Sequence, residues 1–169
     1  MVIMIMGLPG SGKSYFAIQL AQRIDADYFS SDRIRNEIIS KKTYSENEKM
    51  AVYNEMLARM LNAVKEDRNV ILDATFYKEK LREQFTNEIK GINVFYIEVV
   101  ADEQTAMERL NKTRPDSDAD FEVYKKIELE WEPLNQPHLI LHSTNNNIEE
   151  MLKKAINYLH INNDNRTNT

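Results

Sequence analysis

Residues 7 to 14 read Gly-Leu-Pro-Gly-Ser-Gly-Lys-Ser. Glycines at 7, 10 and 12 free the backbone to turn its N–H groups inward around an anion. The Lys and Ser that close the stretch add an ammonium and a hydroxyl. The spacing is that of G-x-x-x-x-G-K-[ST], where backbone amides cradle phosphates, the Lys reaches the β- and γ-phosphates and the hydroxyl meets Mg²⁺. Gly7, Leu8, Pro9, Gly10, Ser11, Gly12, Lys13, Ser14 and the adjoining Tyr15 are therefore the expected ATP-binding residues. Lys13 is also expected to be catalytic, and Ser14 to be a metal ligand. The plain alternative is a glycine-rich turn that happens to fit. Its position argues against that, because it lies between an apolar run and an amphipathic helix.

A second carboxylate-bearing stretch, "NVILDATF" (69 to 76), ends an apolar strand in Asp73. A carboxylate there can hold Mg²⁺ directly or through its water; capping the next turn is the alternative. Position 74 is Ala, where ATP-hydrolysing motors carry a water-activating Glu. The nearest string to the guanine-reading N-K-x-D is Asn111-Lys112-Thr113-Arg114, which ends in Arg. A kinase needs neither pattern. It needs a group beside the acceptor hydroxyl and cations around the phosphoryl group in flight.

"SSDRIR" (30 to 35) supplies candidates for the acceptor side. Asp32 can orient the hydroxyl and take its proton, unless it is only a helix N-cap. Arg35, three residues on, can grip an anionic group of the acceptor. Arg109 and Arg114 bracket a polar segment before "PDSDAD", the natural place for a lid that closes arginines over phosphates. The lid is expected over about 105 to 131, with both arginines binding ATP and Arg114 catalytic. The adenine ring is expected against Ser143 to Asn145.

These residues must be positioned by the elements around them. Val2 to Met6 is a continuous apolar run, the mark of a strand buried on both faces. Phe16, Leu20, Ala21 and Ile24 then recur with helical period. Further strands are expected at Tyr28–Phe29, 69–76, 92–100 and 138–142, and helices at about 33–40, from a Thr43/Glu46 capping box through Val64, at Leu81–Ile89, at Ala106–Leu110, at about 121–130 and at Ile148–Leu159. Short apolar strands alternating with helices predict an α/β fold with a parallel five-stranded sheet and helices on both faces. Such sheets bind ligands at the carboxyl ends of their strands, where Gly7–Ser14, Asp32 and Asp73 fall.

The 169-residue chain suits one domain, expected over 1–160 with a disordered polar tail at 161–169. It contains no cysteine, which excludes disulfides and thiolate metal sites and suits the cytoplasm. No apolar stretch approaches the roughly 20 residues of a membrane span, and "MVIMIM" is too short for a signal sequence. A net charge of −5 excludes a nonspecific nucleic-acid coat, so any contact with nucleic acid should be confined to a site.

Taken in order, "GLPGSGKS", "SSDRIR", "LDATF" and the Arg109/Arg114 segment followed by "SDAD" resemble the P-loop kinases of the phage polynucleotide kinase type, with zeta-toxin-like kinases as more distant relatives. The resemblance spans roughly residues 2 to 145. It implies the three-layer P-loop NTPase sandwich with a helical lid, Asp32 as general base, and Arg35 on the acceptor's 3′-phosphate. It also implies Asp73 as the acid ending strand three, and Arg114, preceded by Arg109, on the β- and γ-phosphates. The implied acceptor is the 5′-hydroxyl of a polynucleotide end. A small-metabolite or nucleotide-sugar kinase and a non-enzymatic ATP-binding switch are the alternatives. Shikimate- and gluconate-type pockets are disfavoured, since Asp32-Arg33-Ile34 lacks the second Asp of shikimate kinases.

Overall fold

The computed structural model describes residues 1–112 and 119–164. Five strands, β1 (Val2–Met6), β2 (Asp27–Ser30), β3 (Val70–Asp73), β4 (Val94–Val100) and β5 (Leu139–His142), form one sheet in the order β2-β3-β1-β4-β5. All pairings are parallel. Between and after the strands come α1 (Lys13–Ile24), α2 (Ser31–Ile38), α3 (Glu46–Lys65), α4 (Glu79–Thr86), α5 (Glu103–Leu110), α6 (Phe121–Leu129) and α7 (Ile148–Asp164). The expected α/β architecture is therefore the observed one.

Period-two side-chain alternation divides the apolar strands between two cores. Val2, Met4, Met6, Val70 and Leu72 face α3 and α4, packing on Val52, Met56, Met60 and Phe85. Ile3, Ile5, Ile71, Ile97 and Val99 face the other way onto Phe16 and Leu20 of α1 and Met151 and Leu152 of α7. Every residue of β1 is buried, which is why it reads as an unbroken apolar run. The chain leaves β1 towards β2 through α1 on one face. It leaves β3 towards β4 through α4 on the other. The loops after these adjacent strands diverge, opening the crevice in which such sheets bind ligands.

Several boundaries differ from expectation. β3 stops at Asp73, four residues after Asn69, because the following loop turns through a left-handed Phe76 (φ 48°). α2 begins at Ser31, with Ser30 at its N-cap. α7 continues past residue 160 to Asp164, and residues 165–169 lie outside the described residues.

The capping box of α3 is formed by Ser45 and Glu48, not by Thr43 and Glu46. Ser45 Oγ accepts from Glu48 N at 3.3 Å, and Glu48 accepts from the backbone N–H of Thr43 at 2.6 Å and of Tyr44 at 2.9 Å. Glu48 also takes an ion pair from Arg35. Drawing Glu48 inward turns the helix, so Val52 and Met56 are buried and Met50 is exposed.

The Thr43 N–H, with the Arg35 and Tyr44 donors, holds the Glu48 carboxyl down at about 2, against an ordinary 4.5. Because the folded value is the lower one, the pair's stability contribution is present above pH 4.5. It is lost as pH falls towards about 2. Glu48→Gln should therefore be less stable than the parent at pH 7 in urea unfolding, and the gap should close through that acid window. Parallel stability curves across it would remove the ion pair from the argument.

Candidate active site

The loop after β1 crosses close to β4: a Cβ on Gly7 would stand 2.2 Å from the Val99 carbonyl oxygen. Gly12 serves as the N-cap of α1 in the left-handed region (φ 89°) and brings no side-chain cap. The first turn of α1 holds no acidic residue, and its first ladder bond runs from Phe16 N to Gly12 O. The amides before Phe16 thus remain available at the positive end of the helix dipole, an anion site by construction. Lys13 Nζ lies 3.5 Å from the Leu8 carbonyl, folded back across the loop it serves.

Asp73 ends β3 beside Ile5 in register and is 1% exposed. Tyr28 donates its phenol to Asp73 Oδ2 at 2.6 Å, whereas Oδ1 has no hydrogen-bond partner. Burial raises the Asp73 pKa, and the Lys13 ammonium and the Tyr28 and Ser14 hydroxyls oppose that rise. Burial and the neighbouring Asp73 push the Tyr28 phenol far above its usual range, so it stays protonated and donates to Asp73. A buried carboxylate oxygen with no donor, next to Ser14, fits a hydrated divalent cation.

Asp32 occupies the second position of α2 and is half-buried. Ser30 holds the N-cap position, so Asp32 is not the cap. Its carboxylate is near enough to raise the pKa of both Asp73 and Tyr53. Lys13 and Asp32 thus both lie within electrostatic reach of Asp73, which ends β3.

The arginines fare differently. Arg35 is held by Glu48 and lies 5.1 Å over the Tyr44 ring, with its side chain 13% exposed. Arg109 works as a brace. It donates to the carbonyls of Gly10 and Ser11 at 3.2 and 3.1 Å, to Ser143 Oγ at 3.1 Å and to Asn145 Oδ1 at 3.1 Å. It thereby fastens the P-loop to the loop after β5. Arg114 lies outside the described residues, as does most of the segment between α5 and α6.

A cleft of about 490 Å³ opens on the β5 side, lined by Gly12, Tyr15, Arg109, Ser143, Asn145 and Met151 among others. It includes the loop expected to meet adenine. The roles of Tyr28, Lys49 and Tyr77 were not read from sequence. Tyr28 looked like an ordinary apolar strand residue. Its bond to Asp73 depends on the β2–β3 pairing, which aligns Tyr28 with Ile71.

Gly12→Ala should weaken both fold and nucleotide site. A Cβ there would meet Ser143 Oγ at 2.8 Å and Arg109 Nη1 at 3.1 Å. The left-handed backbone alone costs a non-glycine residue about 1–2 kcal/mol. Urea unfolding and equilibrium binding of ATP should both register the change; unaltered values in both would contradict this geometry.

A glycine-rich loop at the end of β1, a strand-end acid on β3 and the β2-β3-β1-β4-β5 sheet define a P-loop NTPase-like domain with a kinase-like fold. The chain belongs to the AAA domain family, whose model matches residues 2–134. No curated protein matches it in sequence. Among solved structures it is similar to a gluconokinase from Sinorhizobium meliloti 1021, at 14% identity and TM-score 0.75 over 98% of this chain and 95% of that one. The APS kinase of Mycobacterium tuberculosis, in complex with AMPPNP and APS, is similar at 16% identity and TM-score 0.68, over 94% and 96% of the two chains. Kti12 of Chaetomium thermophilum, in complex with ADP-AlF3, follows at 20% and 0.64, over 93% and 98%. At such identities the likeness concerns the fold. Among the described residues, no helix is long and apolar enough to cross a membrane.

Proposed function

We propose that this chain is a cytoplasmic kinase that transfers the γ-phosphate of ATP to a hydroxyl of a small acceptor seated against Asp32. The observation that carries this is the placement of Lys13, Asp32 and Asp73 just after or at the carboxyl ends of the neighbouring strands β1, β2 and β3, with Ser30 and Asp73 paired in register. ATP would lie with its adenine in the β5-side cleft and its phosphates on the P-loop amides and Lys13. Ser14 and Asp73 would hold Mg²⁺, which neutralises phosphate charge when bound. The acceptor oxygen attacks the γ-phosphorus, the bond to the β–γ bridging oxygen breaks, and ADP leaves. The hydroxyl proton passes to the Asp32 carboxylate. Arg114 would close over the β- and γ-phosphates from the lid.

A small acceptor is favoured over a polynucleotide 5′ end by Arg35. Gripping a 3′-phosphate would compete with the ion pair that Arg35 makes to the buried Glu48 carboxylate. The similar folds of a gluconokinase and an APS kinase support a small acceptor in the same direction. The test is transfer of labelled γ-phosphate from ATP to a panel of sugars, sugar acids, nucleosides and 5′-hydroxyl oligonucleotides. Labelled small molecules are expected. Label on oligonucleotides alone would restore the polynucleotide acceptor, and tight ATP binding with no transfer at all would leave a nucleotide-binding switch.

A further inference from the structure

Resting on that kinase reading, we infer that the acceptor carries an anionic group, a carboxylate or phosphate, and that Lys49 recognises it. Three basic side chains around the acceptor side are already engaged. Arg35 is paired with the buried Glu48. Lys78 has carboxylate oxygens of Glu130 and Glu132 at 3.7 and 3.5 Å. The buried Arg82 donates to the carbonyls of Phe76, Glu132 and Pro133.

Lys49 is placed otherwise. Its side chain is only 18% exposed, yet its one carboxylate neighbour, Glu46, is 3.5 Å away and 82% exposed. Its closer partner is neutral: Nζ donates to the Tyr77 phenol and lies 4.6 Å from the centre of that ring. A phenol oxygen orients an ammonium without cancelling its charge. A mostly buried ammonium so held is worth most to an anion that arrives from solution.

Its position relates this cation to the reacting groups. Glu48, the residue before Lys49, pairs with Arg35, three residues after Asp32 in α2. Tyr77, which holds Lys49, lies in the loop that leaves Asp73. An acceptor with its hydroxyl at Asp32 can thus set its anion on Lys49, at the start of α3. Lys49 selects the acceptor; it does not touch the phosphoryl group.

The test uses the full chain with ATP and Mg²⁺ and compares matched acceptors: D-gluconate with D-glucitol, glucose 6-phosphate with glucose, and a 5′-hydroxyl oligonucleotide. The wild type should favour the anionic member of a pair, and which pair responds distinguishes carboxylate from phosphate. Lys49→Met should raise KM for that anionic acceptor about tenfold or more, with the Kd for ATP moving less than twofold, and Lys49→Arg should restore part of the loss. Equal use of charged and neutral members, or a Lys49→Met variant with unchanged acceptor KM, overturns the inference while leaving a kinase. Label on the oligonucleotide alone removes the small acceptor, and the Lys49→Met effect on its KM then decides the anion contact. No transfer to any acceptor overturns the kinase reading and this inference with it.

Discussion

Asp32→Asn should lower the rate of phosphoryl transfer by about 10²- to 10⁴-fold, the usual contribution of a general base. Asn keeps the size and an acceptor oxygen but cannot take up a proton at neutral pH. A structural role predicts a different outcome. Ser30, not Asp32, sits at the N-cap of α2, so the substitution removes only a first-turn charge from the helix dipole, worth about 0.3–1 kcal/mol. Measuring single-turnover transfer, ATP affinity and unfolding together separates the two. A rate loss below about tenfold, with ATP binding intact, returns Asp32 to a structural role.

Lys13→Ala should be comparably severe for a separate reason. On the kinase reading its ammonium reaches the transferring phosphoryl group, and loss of one preorganised donor to developing charge typically costs about 10²- to 10³-fold. Lys13 also supports Asp73, because its charge counters the burial that raises the Asp73 pKa. The variant should therefore bind Mg²⁺-ATP poorly as well as slowly transferring its phosphate. Saturation at about 100 times Kd stabilises a protein by about 2.7 kcal/mol. That nucleotide-dependent rise in unfolding free energy should be present in the parent and largely absent from the variant. Without nucleotide the two should differ much less, since Lys13 stands at a helix start and makes one long bond to Leu8 O. Undiminished turnover would mean that the loop does not serve phosphate.

The contrast between these two residues and Arg35 is instructive. Lys13 and Asp32 belong to short contiguous stretches whose chemistry is written locally: glycines before a helix start, or an acid just after a strand. Arg35 also belongs to such a stretch, and its spacing from Asp32 suits a phosphate. Yet its guanidinium is claimed by Glu48, thirteen positions along the chain. The Thr43/Glu46 cap missed for the same reason. Glu48 reaches the buried corner only because α2 and α3 pack together there, and that contact chose Ser45 as the cap. Arg109 fastens the P-loop to Ser143 and Asn145, more than thirty residues away, a contact that its expected place over phosphates does not include.

By itself the sequence determined the α/β class, the five strands, helices on both faces of the sheet and a glycine-rich loop before a helix start. Each follows from patterns within a few consecutive residues: side-chain period, backbone freedom at glycine and the free amides of a helix start. Only the tertiary structure decided which side chains are already engaged. It set Tyr28 on Asp73, Arg35 on Glu48, Arg109 on two loops and Lys49 on Tyr77. Those pairings join residues from different elements, and which donor meets which acceptor depends on strand order and helix packing, which no local pattern encodes. The same physics sets Arg35, paired with the buried Glu48, apart from Lys49, held by a phenol.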